Sequence, residues 1–422
     1  MQVRDAAAAG EGDKVSGRVR LPAVLRMFWA ASLAAFGLMV LVGYAEFRMG
    51  LPRPNYNPLG GARYEDLMEF SPVYRLLHTA DFYEGINTSR VTYPPLGMVL
   101  FWLLYASGHP IGVYLGTAAV WLAACVWGVR RGLMAEGIGG VTATLFPLTV
   151  ALVSFPIAGL LQRGNIELFV WVAAGMGTWL FVRGRENAAA VLWGLAAAVK
   201  LYPIVLLGLL LPKGKWRAFA VGAGTFVGVT VASLAWLGPT IGIAWHGAVK
   251  NVFRYQGIRV GEWSLHELAA NHSVFGLAKF VALAMGLPLA KLTLPYYACG
   301  AALMGWVFFG RLWRMPMANQ LLALTAFMVA LPPISYFYAL VHLCAAWVVL
   351  VFVAIRAGKV GMRVKGLRMA MALLVPVFAS FMLFTFPRVG LFGGLVQACL
   401  LVGLWLCAVE YPFMEPVRAE RA

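Results

Sequence analysis

Residues 188–211 read AAAVLWGLAAAVKLYPIVLLGLLL, an apolar run broken only by Lys200 and Pro203. Its length matches the roughly 20 apolar residues that carry an α-helix across a bilayer. Basic clusters close it at both ends, Arg183 to Arg185 before it and Lys213 to Arg217 after it. Lys and Arg collect in cytoplasmic loops, and one crossing cannot place both ends there. Two half-helices meeting at Lys200 would satisfy both clusters, and helices broken at depth are tolerated where they line a cavity. The stretch predicts a membrane protein with an interrupted hairpin near its middle.

The rest of the chain repeats the pattern. It is 61% hydrophobic and 12% charged, with a mean hydropathy of +0.78, whereas soluble domains are about half apolar and a quarter charged. About eleven to thirteen apolar segments can be counted, which makes the fold an all-α, polytopic transmembrane helical bundle. Residues 1–22 are expected to be a disordered cytoplasmic tail, 23–412 a single transmembrane domain, and 413–422 a polar C-terminal tail. The net charge of +17 comes from 34 Lys and Arg against 17 acids. Because many of these cations cluster between apolar runs, they read as topology signals rather than as a nucleic-acid surface. The five cysteines fall inside apolar runs without ligand spacing, so no disulfide, metal or cofactor is expected.

The first span, about Val24 to Phe47, is too long for a cleavable signal and reads as an anchor with its N-terminus inside. That places residues 62–96, ARYEDLMEFSPVYRLLHTADFYEGINTSRVTYPPL, on the extracytoplasmic side. Two of the chain's four aspartates, Asp66 and Asp81, lie in this loop with Glu65, Glu69 and Glu84. Leu67, Phe70, Tyr74 and Leu77 recur at helical spacing around Pro72, which predicts a broken amphipathic helix on the membrane surface. Asp66 falls on its polar side and is the first candidate for a reactive carboxylate, with Asp81 or one of the glutamates as the alternative.

Ionisable residues inside apolar runs point to function by default. Lys200 is the clearest, and Lys279 is a weaker case in a shorter run. Arg163 and Glu167, four apart, have the spacing of a simple helix ion pair. A second polar loop, Gly238 to His272, carries Arg254, Arg259, Asn271 and His272. Walker, HExxH and GxSxG patterns are absent. One carboxylate near buried cations suits attack by a hydroxyl with a phosphate as the leaving group. The acid takes the attacking hydroxyl's proton, and cations stabilise the phosphate that leaves. Lys200 lacks an evident acid partner, so a single carrier phosphate is its expected counter-charge, with help from Arg163, Arg254 or Arg259. A transporter or lipid flippase is the competing reading, though it would favour inverted repeats and several mid-membrane acids.

Six short patterns occur in order: Asp66-Leu67, Tyr93-Pro-Pro-Leu96, Gln162-x-Gly164-Asn165, Ala197-Ala-x-Lys200-x-x-Pro203, Asn271-x-Ser273 and Pro333-x-Ser335. In these the chain resembles glycosyltransferase family 87, polyprenyl-phosphate-dependent mannosyltransferases of the C-type membrane architecture. The resemblance implies an inverting hexosyltransferase of the cell membrane with an extracytoplasmic active site and Asp66 as base. The implied partners are a polyprenyl-phosphate sugar donor, a lipid- or glycan-linked acceptor and the surrounding lipids. Tyr93, Gln162, Asn165, Asn271 and His272 are the implied substrate contacts. One departure stands out: members often carry histidines soon after Pro-x-Ser, and here Ser335-Tyr-Phe-Tyr338 has none. Tyr338 or His342 is expected to substitute.

Overall fold

A computed structural model of the chain describes residues 20–49, 64, 67, 78, 93–255, 260, 271–287, 289–361, 364–379 and 390–413. Among the described residues there is no β-strand, and the bridge between Asn271 and Tyr336 is an isolated one. The all-α bundle expected from the sequence is what forms. Six helices in the described residues are long and apolar enough to cross a membrane: Ala23–Val42, Pro110–Ala135, Trp216–Leu237, Lys291–Arg314, Phe337–Lys359 and Gly393–Glu410. A bent pair, Gly140–Val153 and Phe155–Arg163, makes a seventh if taken as one span. The sequence count of eleven to thirteen is reached among the described residues only by adding five shorter apolar helices of 10–17 residues. Those are too short to cross alone at 1.5 Å per residue, and they build the interior.

The hairpin predicted around Lys200 is present. An α-helix, Glu186–Val199, ends at Lys200, whose backbone is extended (φ −144°, ψ 132°), and a 3-10 helix, Tyr202–Lys213, follows. Pro203 explains the break, because it lacks an N–H and its ring excludes the carbonyl four residues back. Both open ends lie on one side: Lys215 pairs with Glu186 at 3.3 Å, and Lys213 sits 4.2 Å over the Phe181 ring. The two basic clusters therefore face the same way, with Lys200 at the buried tip.

Helix Glu167–Val182 runs antiparallel beside the first arm, and Trp193 Nε1 donates to its Ala174 carbonyl at 3.3 Å. Small residues let the next helix, Trp216–Leu237, approach closely. A Cβ on Gly194 would stand 2.4 Å from the carbonyl oxygen of Gly222. Backbone cannot step aside as a side-chain tip can, so Gly194→Ala should cost about 1–3 kcal/mol through overpacking. Thermal unfolding in detergent measures this, and an unchanged midpoint would mean that the helices slide apart freely.

One other feature departs from the sequence reading. The second polar loop opens with an amphipathic helix, Ile241–Tyr255, rather than irregular chain. Its Trp245, Val252 and Phe253 are exposed beside exposed His246 and Lys250, as for a helix lying in a lipid interface. On the face bearing the basic clusters, Glu136 takes Lys359 at 2.6 Å and Arg356 at 3.3 Å. Partial burial alone would raise the Glu136 carboxyl, but these two cations outweigh it and hold it below the ordinary range.

Candidate active site

The site is built where three helix breaks meet. The first is the bend at Ser154, where the pair Gly140–Val153 and Phe155–Arg163 turns by 55°. Pro156 starts the second arm, a position where its missing N–H costs nothing. That arm ends at Gly164 with φ +67°, a left-handed cap that favours glycine. A Cβ there would also lie 3.2 Å from both Leu67 Cβ and Tyr64 Cα. Tyr64 and Leu67 thus dock on this turn, and the Tyr64 amide donates to the Gln162 carbonyl at 2.9 Å.

Asn165 follows and organises the centre. Its Oδ1 accepts the Glu167 amide at 2.8 Å and the Lys200 ammonium at 3.0 Å, while its Nδ2 donates to the Tyr93 hydroxyl at 3.1 Å. The second break supplies Lys200, whose Nζ reaches Glu167 Oε2 at 2.6 Å. It stands 5.4 Å from the Tyr93 ring and 5.2 Å from the Tyr338 ring, within cation–π range. Tyr202 donates to Glu167 Oε1, and His342 Nε2 reaches the same oxygen at 2.5 Å. Glu167 is wholly buried, whereas 14% of the Lys200 side chain is open.

The third break is Leu331-Pro-Pro333, which ends helix Met317–Ala330. It leads to a short 3-10 helix, Phe337–His342, that carries Tyr338 and His342 inward. Asn271 clasps this segment. Its Nδ2 donates to the Pro333 carbonyl at 2.8 Å, and its Oδ1 accepts the amides of Ser273 and Ser335, both at 3.0 Å. The His272 amide donates to the Ser335 carbonyl at 2.7 Å, and its ring is buried. Asn271 and His272 therefore hold the backbone that presents Tyr336 and Tyr338.

Two expectations change here. Lys200 does not lack a protein anion: Glu167, on the neighbouring antiparallel helix, reaches it across the bundle. Glu167 is consequently engaged by Lys200, Tyr202 and His342, while the Arg163 guanidinium lies over the Tyr336 and Tyr338 rings at 5.6 and 5.7 Å. Helix spacing alone suggested a pair between those two. His342, seven residues beyond Ser335, enters the cluster through Glu167. Asp66, Asp81, Arg259 and the proposed surface helix lie outside the described residues, as does the side chain of Arg254. Lys279, the other mid-run lysine, is buried 5.9 Å from the Phe275 ring.

Glu167, Lys200, Tyr202, Tyr336 and Tyr338 line a cavity of about 40 Å³, space for a few waters. An ammonium has three N–H donors, and among the described residues Glu167 and Asn165 engage two of those of Lys200. The third is available to an anion at the cavity, flanked by two tyrosine rings.

Such a fold and site define a polytopic membrane enzyme built around a half-buried cation. The sequence model of glycosyltransferase family 87 matches residues 92–333, more than half of the chain, and the chain belongs to that family. It is a membrane glycosyltransferase. The match takes in Tyr93, Asn165, Glu167, Lys200 and Asn271 and stops short of Tyr338 and His342. Neither the curated proteins nor the solved structures give a match.

Proposed function

We propose that the chain moves a hexose, mannose on the family resemblance, from a polyprenyl-phosphate carrier to a lipid- or glycan-linked hydroxyl on the extracytoplasmic face of the cell membrane. The acceptor oxygen attacks the anomeric carbon as the carbon–oxygen bond to phosphate breaks. The hydroxyl proton passes to the Asp66 carboxylate, and polyprenyl phosphate leaves with one more negative charge. A single displacement inverts the anomeric centre. The observation that carries this reading is the open third N–H of Lys200, held between Tyr93 and Tyr338. It supplies a fixed positive group where the leaving phosphate gains charge. Tyr64 and Leu67, which flank Asp66 in sequence, pack on the turn before Asn165, which supports the base and the cation acting on one substrate.

Membranes holding the protein, given radiolabelled polyprenyl-phosphate mannose and extracted acceptor lipids, should move label off the carrier. A lack of transfer by demonstrably folded protein would sink the reading. The side is tested separately in a cysteine-free background. Asn87→Cys should react with an impermeant maleimide from outside and Arg217→Cys should not, because Arg217 belongs to the basic cluster. The opposite pattern would move the acidic loop into the cytoplasm.

A further inference from the structure

The sugar-transfer reading gives Glu167 no part, yet it is the most enclosed charge in the cluster and both its oxygens are engaged. A carboxylate beside a phosphate-binding ammonium opposes the anion through space, so its presence needs a reason. The reason lies in how charge changes during transfer. The donor phosphate is a diester with one negative charge. The released carrier phosphate is a monoester whose second ionisation falls near pH 6, so it carries close to two. An ammonium without a balancing acid would hold the product more tightly than the donor.

Resting on the polyprenyl-phosphate reading, we infer that Glu167 is a positioning residue that sets the charge of the donor site. It fixes the Lys200 ammonium through Oε2 and cancels part of its field. The site then receives a singly charged diester and lets the doubly charged product go. The same balance disfavours diphosphate-linked sugars. Tyr202 and His342 anchor Oε1, so the carboxylate stays aligned with Lys200 when a ligand pulls on the ammonium.

Glu167→Gln isolates the charge. The amide keeps the size, its carbonyl can face Lys200, and its NH₂ can face Tyr202 and His342, both able to accept. Two inhibitors of sugar transfer serve as probes: a short-chain polyprenyl phosphate and its methyl ester, which has a single charge. Against the native protein the two should inhibit within a few-fold of each other. In Glu167→Gln the phosphate should inhibit about tenfold more tightly and the ester only about threefold, because the lost repulsion scales with the ligand's charge. A purely structural carboxylate would give weaker inhibition by both probes, and that outcome overturns the inference. Should the variant not fold, the native protein decides: tenfold preference for the dianion over the ester also overturns it. Native protein that transfers no sugar and responds to neither probe is a different result, which removes the donor reading itself.

Discussion

Asp66→Asn is expected to lower sugar transfer by about 10²–10⁴-fold, the usual worth of a positioned general base. The amide matches the carboxylate in size and removes only the basic oxygen, so expression and donor binding should hold. The attacking hydroxyl must lose its proton as it bonds to the anomeric carbon, and no described carboxylate is free for that task. Glu167 is buried with both oxygens engaged, Glu136 and Glu186 lie at the face bearing the basic clusters, and Glu410 pairs with Arg311 at 2.8 Å. The acidic first loop supplies the candidates, and its Asp66 is flanked by Tyr64 and Leu67, which pack on the turn before Asn165. The measurement is initial rate at saturating donor. Full activity in Asp66→Asn together with an inactive Asp81→Asn would transfer the role to Asp81.

The sequence disclosed the fold wherever a local rule was sufficient. Length and apolarity gave the long spans, and paired basic clusters with Pro203 gave the hairpin tip at Lys200. Gln162-x-Gly164-Asn165 stood out as a pattern, and its Gly164 turns out to cap a helix in the left-handed conformation. The partner of Lys200 was missed because the helix rule favours residues three or four apart, and Glu167 has Arg163 at that distance. Geometry in the sequence did contain the answer. Glu167–Val182 spans about 24 Å and Glu186–Val199 about 21 Å at 1.5 Å per residue. Two antiparallel helices of such similar length bring Glu167 level with Lys200. The clasp at Asn271 was not recoverable, since it joins backbone groups some sixty residues apart through a Pro-Pro break. Helix Ile241–Tyr255 was hidden inside the polar loop Gly238 to His272, where Arg254 read as loop.

Lys200→Met is expected to abolish transfer, and the Lys200–Glu167 pair determines how that loss must be read. Removing the ammonium leaves a wholly buried carboxylate without its counter-charge, which typically costs about 3–5 kcal/mol. A protein of ordinary marginal stability could lose its fold on that ground alone, so inactivity of the single variant proves nothing about phosphate. The informative protein is Lys200→Met combined with Glu167→Gln. Removing both charges relieves the penalty, because a buried pair can often be replaced by neutral groups at little cost, and Tyr202 and His342 can still bond the amide. The double variant should therefore recover the melting temperature that Lys200→Met loses. Its transfer should remain down by about 10²–10³-fold, the effect of deleting one preorganised donor at developing negative charge. Recovery of stability and activity together would make Lys200 a structural partner of Glu167 and place the phosphate elsewhere. Recovery of stability alone assigns the ammonium to the leaving group, and the asymmetry of burial already favours that result: Glu167 is closed off, while Lys200 keeps one face and one N–H toward the cavity.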